Sequence, residues 1–273
     1  MMVRGLLICL LILFSGLARG EAFIIGVHPI HSMRTLAERF EPLRAHLETR
    51  LGKPVYVESA VDFAEYYVRT LRGEFDLAII PAHFARLAQK DKGFQPLIQF
   101  RPDNDALLVS NLDRPLIPIE RMKHQRLAVI DPLAVTVLAV LAHLESQGLE
   151  AGRDYSVMAY SNHASVVKAV AEGLAMAGVT TTHGLKQVPE ALRGRIRTEA
   201  RITDIPAFVG LARPELPAVE ARKLKELLLD FASAKAGQDF LKGIAFSRFV
   251  PAEEKQLRRV DAYLKETRKG LGQ

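Results

Sequence analysis

The chain has 273 residues, with 37 Lys and Arg against 31 Asp and Glu, which gives a formal net charge of +6. The basic residues are scattered singly, and no nucleic-acid partner is expected because such a surface needs clustered positive charge. The only cysteine is Cys9, so the chain beyond it has no disulfide, thiolate metal site or cysteine nucleophile.

The first twenty residues have the pattern of a secretory signal peptide. Arg4 gives a positive start, Leu6 to Phe14 are apolar, and Ala18-Arg19-Gly20 forms a small-x-small cleavage site. The apolar stretch is too short to span a bilayer. We therefore expect residues 1–20 to be cleaved on export.

From residue 23 onward, short apolar strands alternate with helices whose apolar residues recur at spacings of three and four. The first series predicts strands at Phe23–Val27, Lys53–Val57 and Leu77–Ile80 and helices at Met33–Arg50 and Ala64–Arg72. The second predicts strands at Ala106–Ser110, Leu127–Ile130, Tyr155–Tyr160, Met176–Thr180 and Ile205–Leu211 and helices at Ala134–Gln147 and His163–Glu172. Two more helices are predicted at Ala218–Ala234 and Pro251–Lys269. Alternation of this kind builds parallel sheets with right-handed crossovers.

The two series are about equal in size. The last two helices are more than the second series needs, which indicates that the chain returns to the first lobe. We predict an α/β protein of two lobes, each a mostly parallel sheet flanked by helices, with a ligand cleft between the lobes. Residues 21–105 and 208–273 form lobe 1, and residues 106–207 form lobe 2. The chain crosses near Asp103–Leu108 and Thr203–Val209, where a few residues permit hinge closure. A monomer is expected, because no dimer surface is evident.

The stretch from Phe75 to Ala88, FDLAIIPAHFARLA, is an apolar strand that turns at once into a helix. Open α/β sheets bind ligands at the carboxyl ends of their strands. The same arrangement recurs at Phe23–His31, Leu127–Thr136 and Met158–His163. We therefore expect four strand ends to line one cleft.

Five of the eight histidines fall on loops expected at this cleft: His28, His31, His83, His163 and His183. Imidazole is a common metal ligand, so a transition-metal site is one interpretation. The chain has no HxH or HExxH spacing, however, and we predict neither a metal nor a cofactor. Local hydrogen bonds, or contacts to an organic or anionic solute, are the favoured interpretation.

Six segments are similar, in their order and spacing, to those of a known family: FIIGVHPI, FEPLRAHLETRLGKPVYVESAVDFAEYYVRTLRGEFDLAIIPAHFARLA, LAVIDPLAVTVL, GRDYSVMAYSNHASVVKAVAEG, ITDIPAFVGLARPELP and GQDFLKGIAFSRFVP. On these segments the chain resembles the periplasmic solute-binding proteins of phosphate, phosphite and phosphonate ABC transporters. The resemblance covers nearly all of the chain beyond the signal peptide. It implies the type-2 periplasmic binding fold, a location in the periplasm, and delivery of a small, anionic or phosphonate-like solute to an ABC permease.

The family pattern is changed after the strand Leu127–Ile130. Phosphonate binders of the family carry a Ser-Thr-Ser type cluster there, whose hydroxyls and helix amino terminus hold the phosphonate oxygens. Here the segment is Asp131-Pro132-Leu133-Ala134-Val135-Thr136, and only Thr136 keeps a hydroxyl. The backbone N–H groups near Leu133–Val135 could still form a weak anion site. Asp131 is interpreted chiefly as the end of the strand, with direct ligand contact as the less favoured alternative.

Other ligand positions of the family are changed as well. Phe63 and Phe84 stand where the family has ligand tyrosines, although they could instead close the core at the strand ends. Thr181 and Thr182 stand where acidic residues often receive an amino group, whereas His163 matches a ligand histidine. The predicted ligand-binding residues are His28, Phe63, His83, Phe84, Leu133, Val135, Thr136, Asn162, His163, Thr181 and Thr182. Their chemistry fits a less charged or partly aromatic solute better than a phosphonate.

Catalysis is not expected, because the sequence has no Gly-x-Ser-x-Gly elbow, P-loop or Gly-x-Gly-x-x-Gly motif. Asp62 and Glu65 have the spacing of helix-start residues rather than of an acid–base pair. Two membrane partners remain open. The first is the ABC permease; in the alternative, the chain is a sensing subunit for a non-phosphonate solute, and its closed form contacts a membrane sensor kinase or cyclase.

Overall fold

The structure, a computed structural model, describes residues 22–30 and 32–273. The predicted signal peptide, residues 1–20, and His31 lie outside the described residues. Among the helices of the described part, none is both long and apolar enough to cross a membrane.

The first part of the chain alternates strands and helices. Its elements are β1 (Phe23–Val27), α1 (Met33–Leu51), β2 (Val55–Glu58), α2 (Phe63–Leu71), β3 (Leu77–Pro81), α3 (Ala82–Lys92) and β4 (Gln95–Arg101). The Ser32 hydroxyl accepts the Thr35 N–H at the start of α1, and Gly52 ends that helix in the left-handed conformation at φ 67°. These local signals are what the sequence shows at both ends of the helix.

The remaining elements form a second series and a return segment. The second series comprises β5 (Asn104–Asn111), β6 (Arg126–Val129), α4 (Val135–Ser146), β7 (Ser156–Ala159), α5 (His163–Ala171), β8 (Ala177–Thr180), α6 (Thr182–Lys186), α7 (Glu190–Arg193) and β9 (Ile196–Ile205). The return segment comprises β10 (Phe208–Ala212), α8 (Ala218–Ser233), α9 (Lys235–Gly243), β11 (Arg248–Pro251), α10 (Glu254–Leu257) and α11 (Leu264–Gly270).

The strands form two sheets, one in each lobe, and the two-lobed α/β fold is confirmed. Lobe 1 has six strands in the order β11-β4-β10-β3-β1-β2, and lobe 2 has five in the order β7-β6-β8-β5-β9. The prediction of mostly parallel sheets is wrong. β1 pairs in parallel with β2 and β3, and β6 with β7 and β8, but every other pairing is antiparallel. The sheets are mixed because β5 and β10, the strands by which the chain enters each lobe from the other, run against the βαβ units.

Two short passages join the lobes. The chain leaves β4 and enters β5 through Pro102 and Asp103, and it returns from β9 to β10 through Pro206 and Ala207. The single strand predicted over Ile205–Leu211 is therefore two strands in different sheets, since Pro206 has no N–H for a sheet ladder. The lobe limits drawn at residues 105 and 207 stay a prediction.

The C-terminal segment does not form the single helix predicted for Pro251–Lys269. Pro251 ends β11, and α10 is followed by a 3-10 helix over Arg258–Tyr263 before α11 begins. The segment is held against α3 by ion pairs. The buried guanidinium of Arg86 donates to Asp261 at 2.8 Å and to Glu254 at 2.8 Å.

The largest apolar cluster contains residues of both lobes. It includes Phe84 of α3, Val137 of α4 and Val260 of the C-terminal 3-10 helix, all fully buried. Leu133, just before α4, packs so closely against α11 that a side chain at Gly270 would collide with it. The start of α4 therefore packs against lobe 1.

We predict that Arg86→Ala lowers the free energy of unfolding by about 2–3 kcal/mol, because it leaves two carboxylates without their buried partner. Arg34→Ala is the matched control, since Arg34 makes an exposed pair with Glu38, and it should cost about 0.5 kcal/mol or less. Urea unfolding of both variants checks this; equal losses would show that the Arg86 contacts do not hold the C-terminal segment.

Candidate functional site

The carboxyl ends of the parallel strands in the two lobes face one another. β1, β2 and β3 run in parallel, so the residues after them share one edge of the lobe 1 sheet. β6, β7 and β8 do the same in lobe 2. A hydrogen bond joins the two edges, with 2.9 Å between His83 Nε2 at the start of α3 and the carbonyl oxygen of Leu133 before α4. The predicted cleft lies at this junction.

Five ring side chains gather on the lobe 1 side, and we call them the aromatic cluster: His28, Phe63, Tyr66, Phe84 and Phe208. The His28 ring lies at their centre. Its centroid is 4.0 Å from that of Phe63, 5.3 Å from Tyr66, 6.0 Å from Phe84 and 6.1 Å from Phe208. The cluster combines residues after β1 and β3 with the start of α2 and the start of β10.

His28 is buried in an uncharged environment. Its side chain is 1% exposed, and neither ring nitrogen has a hydrogen-bond partner among residues 22–30 and 32–273. Burial, followed by the nearby His83, lowers the pKa of His28 well below its ordinary value. The imidazole is therefore neutral and offers one donor and one acceptor nitrogen.

His83 has a defined tautomer. A carbonyl oxygen only accepts, so Nε2 carries the proton in the bond to Leu133. Burial lowers the pKa of His83 to about 4, so the ring is neutral and its Nδ1 is an acceptor. That Nδ1 is buried and has no partner in the described part of the chain. The ring stacks on Phe84 at 4.2 Å.

A carboxylate of the chain already binds a backbone N–H just before α4. Asp131 Oδ1 accepts the Leu133 N–H at 2.7 Å, and Ala134 at the N-cap position makes no side-chain cap bond. Val135 and Thr136 begin the helix and are buried. Burial, followed by the charge of Asp62 in lobe 1, raises the pKa of Asp131. An anion at this helix start would therefore meet a carboxylate rather than the hydroxyls typical of phosphonate sites.

The start of α5 brings His163 close to a buried hydroxyl. His163 Nδ1 lies 3.0 Å from Thr180 Oγ1, and burial lowers the pKa of His163 to about 4. A side chain at Gly184 would collide with the imidazole, so glycine is required there for His163 to occupy its place. Asn162 caps α5 by accepting the Ser165 N–H at 2.9 Å.

The two predicted threonines are engaged within lobe 2. Thr181 caps α6 by accepting the Gly184 N–H at 2.8 Å. The Thr182 N–H donates to Asp105 at 3.0 Å, and its hydroxyl bonds to Asp105 and Arg201. Arg201 in turn donates to Asp105 at 2.7 Å. Neither threonine has its hydroxyl directed to a solute in this arrangement.

The structure brings together only part of the predicted site. His28, Phe63, His83, Phe84 and Leu133 converge at the junction of the lobes, whereas Asn162, Thr181 and Thr182 act as caps and internal partners. The role of each as a ligand residue stays a prediction.

The sequence pattern does not single out Phe208, which it places inside one strand; its position just after Pro206, at a passage between the lobes, is the signal that could have found it. Asp131, for which ligand contact is the less favoured interpretation, lies beside the junction through its bond to Leu133. The predicted helix cap at Asp62 is confirmed, since it accepts the Glu65 N–H at 2.8 Å.

Metal binding receives no geometric support. Within the described residues, no group of three or more His, Cys, Asp or Glu side chains could hold a metal ion. His28 and His83 are instead surrounded by aromatic rings.

Comparison with known proteins gives a consistent picture. A model of the family described as "ABC transporter, phosphonate, periplasmic substrate-binding protein" matches residues 25–257. A Xanthomonas citri protein solved with bound ATP has a TM-score of 0.76 and 18% identity, with 92% of this chain and 97% of that one covered.

Two further solved structures belong to phosphonate systems. The binding protein component of an ABC phosphonate transporter from Pseudomonas aeruginosa has a TM-score of 0.74 and 18% identity, covering 92% of this chain and 88% of its own. PhnD1 from Prochlorococcus marinus, in complex with methylphosphonate, has a TM-score of 0.73 and 15% identity, covering 92% and 98%. At such identities the likeness shows the fold, which is that of type-2 periplasmic binding proteins.

Acid is expected to weaken the fold through the buried histidines. The pKa of His83 is about 4 in the folded protein and about 6.5 in an unfolded chain, so the unfolded state binds more protons between these values. The stabilisation is complete above about pH 6.5 and is lost as pH falls towards about pH 4, at roughly 1.4 kcal/mol per pH unit for this residue. His28 and His163 act in the same direction.

Urea unfolding across this pH range checks the effect. His83→Gln retains a donor for the Leu133 carbonyl and does not titrate. The slope of the free energy of unfolding against pH should therefore fall by the equivalent of about one bound proton. Gln147→Ala, at an exposed position after α4 that carries no titratable group, is the control and should leave the slope unchanged. A slope unaffected by His83→Gln would mean that His83 is not the buried neutral group described above.

Proposed function

The chain belongs to the family of periplasmic substrate-binding proteins of phosphonate ABC transporters, and we propose that it captures one small solute between its lobes and delivers it to an ABC permease. The chain is thus a binding protein rather than an enzyme. The observation that carries the proposal is the junction of the lobes. Strand ends from both sheets converge there, and His83 and Leu133 form a direct bond across it.

The fold supports a cycle of opening and closure. Within residues 22–30 and 32–273, the backbone passes between the two sheets at Pro102-Asp103 and Pro206-Ala207 alone, so the lobes can separate by rotation about these passages. His28 is 1% exposed, and a solute reaches it only when the lobes are apart. A solute that contacts both lobes favours the closed form, because the equilibrium shifts by its difference in affinity for the two states.

The anionic, phosphonate-like solute that the family implies is one candidate. The groups that would hold it are the first N–H groups of α4, the hydroxyl of Thr136 and the ring of His163. Each charge-assisted hydrogen bond that the family's hydroxyl cluster supplies is worth about 1.5–3 kcal/mol. Since only Thr136 keeps a hydroxyl in this segment and Asp131 binds the Leu133 N–H before α4, a less charged solute with an apolar part fits the junction better.

Location and assembly follow from the same proposal. The protein acts in the periplasm as a monomer, after cleavage of residues 1–20, and the permease receives the solute from the closed form. The sensing alternative shares the cleft and the closure; it differs in the membrane partner, a sensor kinase or cyclase, and in the solute, which is not a phosphonate.

Native mass spectrometry tests the binding function. Protein isolated from the periplasm of the bacterium that encodes it should carry a 1:1 adduct of a small molecule, which denaturation releases. Loss of uptake of that molecule in a strain without the gene would support delivery to a permease. Protein that shows only its own mass, under native and denaturing conditions alike, would contradict the proposal; unchanged uptake would favour the sensing role.

We predict that phosphate, phosphite and methylphosphonate bind weakly, because Asp131 faces the site that would hold their oxygens. Thermal-shift titration at about 1 mM should give little stabilisation, whereas a ligand at about a hundredfold excess over its Kd adds about 2.7 kcal/mol. A saturable shift at micromolar concentration would overturn this and restore the phosphonate-like solute.

A further inference from the structure

The polar atoms left without partners at the junction of the lobes are mostly acceptors. His83 Nδ1 is an acceptor because Nε2 carries the proton, and it has no partner among the described residues. His28 is 1% exposed and both of its ring nitrogens lack partners in the same part of the chain, so one further acceptor is unsatisfied. Buried polar groups of this kind cost stability unless a partner supplies the missing bonds.

A carboxylate adds to this set from lobe 2. Asp131 uses one oxygen for the Leu133 N–H, and its second oxygen has no bond within residues 22–30 and 32–273. Asp131 makes no ion pair there either, and the charge that acts on it is that of Asp62 across the cleft. Asp62 directly precedes Phe63, whose ring lies 4.0 Å from that of His28. Asp131 and His83 thus both bond to the backbone of Leu133, and the His28 ring lies 6.0 Å from that of Phe84, the residue after His83.

We propose that the cleft selects an organic cation, a solute whose protonated amine or guanidinium donates N–H bonds to Asp131 and to the imidazoles of His28 and His83. The inference rests on the proposed solute-binding function and specifies the solute class for the same site. The cation supplies the donors that the acceptors lack, and its charge is balanced by carboxylates from both lobes. A solute that bridges Asp62 of lobe 1 and Asp131 of lobe 2 also favours the closed form.

The aromatic cluster fits the rest of such a solute. Phe63 and Phe208 are half-buried members of the cluster, and Phe84 is fully buried. A cation near an aromatic face gains about 0.5–2 kcal/mol, depending on how far it is desolvated. The rings also supply apolar surface for the carbon body of the solute.

The charges elsewhere on the cleft leave this end acidic. At the start of α6, burial and then the charges of Lys186 and Arg39 lower the pKa of His183. Arg201 is paired with Asp105. No basic side chain contributes to the shift of the Asp131 pKa. A phosphonate dianion at the start of α4 would therefore face repulsion from Asp131, whereas a cation would be attracted.

Isothermal titration with three probes of the same carbon body tests the charge preference. The probes are 2-phenylethylammonium, 2-phenylethanol and phenylphosphonate. The cation should bind about tenfold or more tightly than either of the others, which corresponds to about 1.4 kcal/mol or more. If it binds no more tightly than the alcohol, the inference is overturned.

Asp131→Asn separates charge from structure. The asparagine oxygen still accepts the Leu133 N–H, so the start of α4 is kept while the charge is removed. The variant should bind the cation about tenfold more weakly and phenylphosphonate more tightly. Asp113→Asn, an exposed loop position in the same lobe, is the matched control and should change neither value. An Asp131→Asn variant that behaves like the control overturns the inference.

Different experimental results would refute the cation class and the solute-binding function. A native 1:1 adduct that proves uncharged or anionic would leave the binding function standing and refute the cation class. Absence of both an adduct and any probe binding by the folded protein would refute both.

Discussion

Two buried imidazoles, His28 and His83, have to remain uncharged for the lobes to pack as they do. A protonated ring here would be buried away from water and would have no counterion, because no carboxylate bonds to either imidazole within the aromatic cluster. Burying an unpaired charge in this way costs free energy. Because His83 is neutral, its single ring proton lies on Nε2 and is donated to the Leu133 carbonyl. This hydrogen bond joins the start of α4 to lobe 1. Because both imidazoles are neutral, each keeps one ring nitrogen as a hydrogen-bond acceptor without a partner among the described residues.

The family fold and the chemistry of the site are separate properties. The sheet order, the two passages and the strand ends at one junction are those of a periplasmic binding protein. At the start of α4, however, Asp131 supplies an internal anion where an external one would otherwise bind the helix amino terminus. In the proposed site, this one carboxylate makes the helix start unfavourable to an anion.

Closure also depends on parts of the chain far from the strand ends. The C-terminal segment is held on α3 by Arg86 and packs against Leu133 through Gly270, so it contacts both lobes next to the junction. The proposed opening would therefore break the His83–Leu133 bond and separate the apolar surfaces of α4 and the C-terminal helices. An occupied cleft compensates for this through contacts to both lobes.

The sequence by itself determined the local features: the alternation of strands and helices, the cap at Asp62, and the strand ends that carry His28 and His83. These depend on residues a few positions apart, where periodicity and capping act directly. Only the tertiary structure decided that Pro206 divides one predicted strand between two sheets, that Arg86 binds Asp261, and that His83 meets Leu133. Those partners lie 50 to 175 positions apart. Packing of whole elements, which no local pattern encodes, brings them together.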